Sequence, residues 1–128
     1  MSVRRLAFRC AAWGCVVLIA YLSLTPVQVR TPAPAGLEHA VAYAGTALIM
    51  LLAYPSRPVW TVSTLLAAYS GLLELLQNFS PGRHPGIDGV LWSSAGAIAG
   101  GLIAAVLRSR MSLEEWIDRL PHVTRRTR

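Results

Sequence analysis

Residues 87–107 read IDGVLWSSAGAIAGGLIAAVL, and Asp88 is the only charged side chain in this run. Three more apolar runs precede it, at residues 6–24, 37–54 and 59–77. A helix needs about 20 mostly apolar residues to cross a ~30 Å hydrocarbon layer. Each run has about that length and lacks the alternating pattern of barrel strands, so the sequence predicts four transmembrane helices.

The size and composition fit a small polytopic membrane protein. The chain has 128 residues, of which 54% are hydrophobic, and this size allows one domain. Short connections between the apolar runs predict an all-α, up-down bundle of four helices at residues 1–110. In residues 111–128, Ser112 and Glu115 have the spacing of a capping box. We therefore predict a short C-terminal amphipathic helix on the membrane surface, followed by a basic tail.

Arginine supplies all 12 basic side chains, and its distribution predicts the orientation. Ten of the 12 arginines lie before or at the start of helix one, between helices two and three, or after helix four. The positive-inside rule then places the N- and C-termini in the cytoplasm and the loops 25–36 and 78–86 outside. We expect a multi-pass protein of the cytoplasmic (inner) membrane. Because topology explains the arginines, nucleic-acid binding is not predicted.

The first apolar run also resembles a secretory signal peptide, with a basic start and an apolar middle. No A-x-A-like cleavage site follows it, and the run is long, so we interpret it as a retained helix. It contains Cys10 and Cys15, which point in different directions on a helix and cannot pair locally.

Polar side chains gather at the outward ends of the predicted helices. His39 and Tyr43 lie one turn apart on helix two, and Glu74 and Gln77 share a face of helix three. We expect these ends to form one cluster and a candidate ligand site. Glu74 is flanked by leucines, and we expect Arg83 to be its ion-pair partner. The full set of candidate residues is Glu38, His39, Tyr43, Glu74, Gln77, Arg83, His84 and Asp88.

Helix four contains a face of small residues at Gly96, Gly100 and Gly101. Glycines four residues apart let a neighbouring helix backbone approach closely. We predict that this face packs within the bundle. Self-association into a homo-oligomer is the alternative.

In this order, these motifs resemble the VanZ-like family of small bacterial membrane proteins. The resemblance spans about residues 22–102 and rests on the following residues: LSLTP at 22–26, HAVAY at 39–43, ELLQ at 74–77, PGR at 81–83, Asp88 and the glycines of helix four. The chain departs from the family pattern at Ala35-Gly36, where an Asp-Lys pair is usual, and at 92–94, where an asparagine is common. The resemblance implies a bacterial inner-membrane protein with a cell-envelope role, linked in one relative to resistance to the glycopeptide teicoplanin. It implies no reaction.

Three functions are consistent with the cluster. The first is binding of a membrane lipid or of the head group of a lipid-linked envelope precursor, with Arg83 as a bidentate anion contact. The second is a structural or scaffolding role, in which the cluster is an ion-pair clamp. The third is a membrane enzyme acting on a lipid-linked substrate, with His39 and a carboxylate as an acid–base pair.

The sequence assigns no catalytic residue, no metal site and no cofactor. It contains no ordered metal-ligand spacing such as H-x3-H and no nucleophile elbow. His39, Glu74, His84 and Asp88 are the side chains that a metal-dependent enzyme would use. A channel or transporter is disfavoured, because the predicted spans keep few polar groups.

Overall fold

The computed structural model describes the backbone of residues 3–26 and 31–118 and the side chains of residues 6–26 and 31–111. The described residues form four helices and no strand. They are α1 (Val3–Leu24), α2 (Ala35–Ala53), α3 (Val59–Gln77) and α4 (Ile87–Asp118). Each contains a segment long and apolar enough to cross a membrane. The predicted all-α fold with four membrane-spanning helices is therefore confirmed.

The C-terminal end of α4 differs from the prediction. The helix does not stop near residue 107 but continues without interruption to Asp118. Residues 107–111 contain neither proline nor glycine, so nothing in this stretch ends the helix. Residues 111–118 therefore extend α4 rather than start a new helix. The side chains of Ser112 and Glu115, and the basic tail from Arg119 onward, lie outside the described residues.

The four helices are arranged in the spatial order α1, α2, α4, α3. The contact between α2 and α4 is the most extensive, and α4 also packs against α3. α1 contacts α2 and α3 but not α4 within the described residues. α2 and α3 are consecutive in sequence and are joined by a short turn, yet they contact each other little. The principal helix pair therefore consists of two parallel helices that are not consecutive in sequence.

Glycines make the close α2–α4 contact possible. A Cβ atom on Gly96 would lie 2.7 Å from the carbonyl carbon of Ala40, and one on Gly100 would lie 2.7 Å from that of Ala44. Both glycines are buried. A Cβ atom on Gly101 would overlap a side chain of α3. The small-residue face of α4 thus packs inside the bundle, at Gly96 and Gly100 against α2 and at Gly101 against α3.

The inside of the bundle is narrow and its outside is apolar. Several alanines on the inner faces are completely buried, including Ala12, Ala47 and Ala97. Large apolar side chains such as Val17 and Leu65 are instead about two-thirds exposed, at 66% and 64%. Large side chains on the outside and small ones between the helices are typical of helices solvated by lipid.

The end of the bundle where α2 stops and α3 starts is held by aromatic and cationic groups. The Arg108 guanidinium donates hydrogen bonds to the carbonyl oxygens of Leu51 and Tyr54. These carbonyls lie at the end of α2, where intrahelical donors run out. The Tyr54 hydroxyl accepts a hydrogen bond from Trp13 Nε1 at 3.0 Å, and the Arg9 guanidinium lies 5.0 Å from the Tyr54 ring centroid. Cys10 and Cys15 are both free thiols.

Candidate ligand-binding site

A cavity of about 480 Å³ opens at the other end of the bundle, where α1 and α3 end and α2 and α4 begin. We call this end the cluster end. All eight candidate residues predicted from the sequence line this one cavity: Glu38, His39, Tyr43, Glu74, Gln77, Arg83, His84 and Asp88. The helix ends thus bring together side chains from α2, α3, α4 and the loop between α3 and α4.

Two glycines and a tryptophan that sequence reasoning missed also shape the cavity. A Cβ atom on Gly36 would lie 2.6 Å from Cδ1 of Trp92, so this glycine makes room for the indole ring beside α2. A Cβ atom on Gly89 would lie 3.0 Å from the carboxyl carbon of Glu74. The sequence signal that could have identified these two positions is glycine in the first turn of a helix. Glycine weakens a helix, so its presence there indicates that close packing requires it.

Arg83 does not form the predicted ion pair with Glu74. Its Nε donates a hydrogen bond to the Thr25 carbonyl oxygen at 2.9 Å, and its Nη2 donates one to the Leu22 carbonyl oxygen. Gly82 precedes it with a φ of 76° and makes the turn that directs Arg83 toward α1. Neither Arg83 nor Glu74 has a salt bridge within the described residues.

The end of α1 explains why the Arg83 prediction was wrong. The last carbonyls of a helix lack intrahelical donors and carry the negative end of the helix dipole. A guanidinium that reaches these carbonyls donates the missing hydrogen bonds and places a positive charge at the negative end of the dipole. The Nε–Nη2 edge of Arg83 is therefore occupied by backbone oxygens, and the bidentate anion contact expected from the sequence is not available on that edge.

Glu74 joins α3 to the start of α4. Its Oε2 accepts a hydrogen bond from the Gly86 backbone N–H at 2.9 Å. Gly86 immediately precedes α4, so this bond fixes the beginning of that helix. The other carboxylate oxygen, Oε1, has no hydrogen-bond donor within the described residues and remains able to accept one.

The first turn of α2 holds a carboxylate and an oriented imidazole. Glu38 Oε1 accepts hydrogen bonds from the backbone N–H of Thr31, at 2.7 Å, and from its hydroxyl. The Nδ1 atom of His39 lies 2.8 Å from the Ala35 carbonyl oxygen. Since a carbonyl only accepts, Nδ1 carries the hydrogen, and in the neutral form of the ring Nε2 is an acceptor.

Two polar groups that line the cavity, those of Gln77 and Asp88, have no hydrogen-bond partner among the described residues. Gln77 is only 7% exposed, and its side-chain amide makes no hydrogen bond within the described residues. Asp88 is exposed and likewise has no hydrogen bond or ion pair there. Tyr43 is 3% exposed and lies one turn deeper along α2 than His39. Gln77 lines the cavity and its amide is unpartnered within the described residues, so this amide is available to a ligand.

The potential metal ligands line the same cavity but do not form a metal site within the described residues. Among the described residues, no three His, Cys, Asp or Glu side chains lie in a position to hold a metal ion together. The polar lining thus consists of separate hydrogen-bonding groups around a common space.

No protein-family model, no curated protein and no solved structure matches the chain. The geometry of the cavity is therefore the basis for inferring function.

Proposed function

We propose that the protein binds the head group of a membrane lipid, or of a lipid-linked cell-envelope molecule, in the cavity at the cluster end. The observation that supports this most is the convergence of eight polar residues on one cavity of about 480 Å³. Small-ligand sites have volumes of about 300–1,000 Å³ and place a few polar groups to orient the ligand. The buried amide of Gln77, without a partner in the described residues, is such a group.

The location of the cavity suits a lipid ligand. It lies at the ends of four helices whose outer surfaces are apolar, so a head group in the cavity leaves its acyl chains beside the bundle. The arginine distribution favours a cluster end on the outer side of a bacterial cytoplasmic membrane, with both termini in the cytoplasm. The resemblance to the VanZ-like family supports an envelope role and a link to glycopeptide susceptibility.

A reporter placed after Arg128 tests the orientation. A cytoplasmic reporter signal supports an outward cluster end. A reporter active outside the cell would reverse the proposed topology and place the cavity on the cytoplasmic leaflet.

Substitution of Gln77 tests binding with little disturbance of the fold. Gln77→Met removes the amide but breaks no side-chain hydrogen bond of the described residues. We expect normal abundance, loss of co-purified lipid in native mass spectrometry, and altered susceptibility to cell-wall antibiotics. Asn78→Ala is the matched control, because Asn78 is exposed and its amide bonds the Leu75 carbonyl instead. If Gln77→Met and the control retain the same lipids as the unaltered protein, the binding proposal fails.

A second candidate function is a structural or scaffolding role for the cluster. Arg83 ties the loop before α4 to the end of α1, and Glu74 ties α3 to the start of α4. This clamp consists of side chain–backbone hydrogen bonds rather than an ion pair. A purely structural cluster predicts that Arg83→Met lowers abundance and cellular function together, whereas Gln77→Met changes neither.

A further inference from the structure

We infer that the head group bound at the cluster end carries a primary ammonium group rather than only an anionic phosphate. This inference rests on the proposed binding function and names the ligand class of that same cavity. Three observations support it: the charge balance of the lining, the acceptors left open in the cavity, and the buried amide of Gln77.

The charge balance of the described lining is negative when its two histidines, His39 and His84, are neutral. Among the described residues, three carboxylates line the cavity, from Glu38, Glu74 and Asp88, against one arginine, Arg83. The Nε–Nη2 edge of that arginine is taken by the carbonyls at the end of α1. The chain contains no lysine that could offset the carboxylates. A phosphate without an accompanying cation would therefore meet more like charge than opposite charge.

The N-terminal ends of α2 and α4 also meet the cavity, and helix N-termini favour anions. Each of these ends already has a carboxylate in its first turn, Glu38 in α2 and Asp88 in α4. These acids offset the positive ends of the helix dipoles. The helix ends therefore do not turn the cavity into an anion site.

The acceptors left open in the cavity match the hydrogen-bonding pattern of an ammonium group. Glu74 Oε1 and the Asp88 carboxylate have no donor within the described residues, and Nε2 of His39 is a further acceptor whenever that ring is neutral. A primary ammonium has three N–H donors and no acceptor. Carboxylate and imidazole acceptors thus complement it in charge and in number.

A second, independent observation is the amide of Gln77. It lines the same cavity, is more than nine-tenths buried, and has no partner within the described residues. Its carbonyl oxygen provides one more acceptor, and its NH2 can donate to a phosphate or hydroxyl oxygen of the same head group. A zwitterionic phosphate–amine head group uses both ends of this amide.

The test compares three lipids with identical acyl chains in native mass spectrometry of the full chain purified in detergent. Phosphatidylethanolamine has a primary ammonium, phosphatidylcholine has a quaternary one without N–H donors, and phosphatidylglycerol is anionic. We expect retention of phosphatidylethanolamine to exceed that of each of the other two by about tenfold, the scale of a charge-assisted hydrogen bond. Asp88→Asn and Glu74→Gln are expected to reduce this preference several-fold.

Glu115→Gln is the matched control, because it removes a carboxylate at a backbone position near the opposite end of α4 from the cavity. It is expected to keep the preference of the unaltered chain. Thermal unfolding of every variant in the same detergent verifies folding. Should Asp88→Asn not fold, the comparison of the three lipids on the unaltered chain still decides the matter.

Two outcomes separate this inference from the proposed function. Phosphatidylglycerol retained as tightly as phosphatidylethanolamine, with both lost in Gln77→Met, would overturn the ammonium inference and leave the binding function standing. Equal retention of all lipids that no cavity variant changes would overturn both. Competition with soluble O-phosphoethanolamine identifies the source of the amine. Displacement at concentrations similar to those of the lipid would contradict a lipid head group, and its absence supports one.

Discussion

Arg83 and Glu74 are expected to stabilise the bundle independently of each other. Arg83→Met removes two hydrogen bonds from a cation to carbonyls at the end of α1. Such bonds contribute about 1.5–3 kcal/mol each when well shielded. Arg83 is half-buried, so solvent screening reduces the total, and we expect a loss of about 2–3 kcal/mol. Glu74→Gln keeps an acceptor for the Gly86 N–H but loses the charge, and we expect it to cost about 1 kcal/mol.

A double-mutant cycle in detergent measures the coupling between the two side chains. Because they contact different backbone groups and no salt bridge within the described residues joins them, we expect their effects to add to within about 0.5 kcal/mol. Chemical unfolding followed by tryptophan fluorescence gives the free energies. Arg57→Met is the control, because Arg57 is exposed and its side chain makes no hydrogen bond within the described residues. It should change stability by less than about 0.5 kcal/mol.

A coupling energy above about 1 kcal/mol would refute this reasoning, because it would show that Arg83 and Glu74 interact directly. An Arg83→Met variant as stable as the Arg57→Met control would refute it in another way. In that case the hydrogen bonds to α1 would contribute nothing to the fold.

Three further substitutions test the packing and the helix ends by the same unfolding assay. Gly100→Val should destabilise the protein by about 3 kcal/mol or more, because its Cβ atom would already meet the backbone of α2, whereas Gly14 is exposed, a Cβ atom there has no neighbour from another helix within 4 Å among the described residues, and Gly14→Val should cost under about 1 kcal/mol. Arg108→Met should cost about 2 kcal/mol through lost bonds to carbonyls at the end of α2, and a neutral result would contradict that role. Ser93→Ala should be neutral or stabilising by about 1 kcal/mol, because its buried hydroxyl has no hydrogen-bond partner within the described residues, whereas Ser63→Ala loses a 3.2 Å bond to a carbonyl of α4 and should be the less stable of the two.

The helix bounds show which features of the fold can be predicted from a single sequence. The bounds of α3 agree with those predicted from its apolar run, and those of α2 agree to within two residues. The end of α4 was not predictable from hydropathy, since the chain leaves the apolar run near Leu107 but no helix-breaking residue follows. Hydropathy reports where lipid can surround a helix, whereas the helix itself continues as long as the backbone permits.

In the candidate site, too, the location of the residues could be predicted from the sequence, whereas their hydrogen-bond partners could not. The eight candidate residues could be placed at one end of the bundle from the sequence, because the alternation of spans brings the same ends of helices to one level. Their partners were not predictable, because Arg83 and Glu74 both bond to backbone atoms that no sequence pattern distinguishes. Trp92 and Gly36 were missed for a related reason, since their fit depends on the separation of α2 and α4.

The sequence by itself determined that the chain forms four helices of membrane-spanning length, and at which end of the bundle each polar residue lies. Those properties follow from hydrophobic length and from the need of each backbone segment to satisfy its own hydrogen bonds in lipid. Only the tertiary structure decided that α2 and α4 are the principal pair and that Arg83 binds the end of α1 instead of Glu74. The physical reason is that hydrogen bonds and backbone contacts depend on distances of a few tenths of an ångström between helices, which the order of residues along one helix does not specify.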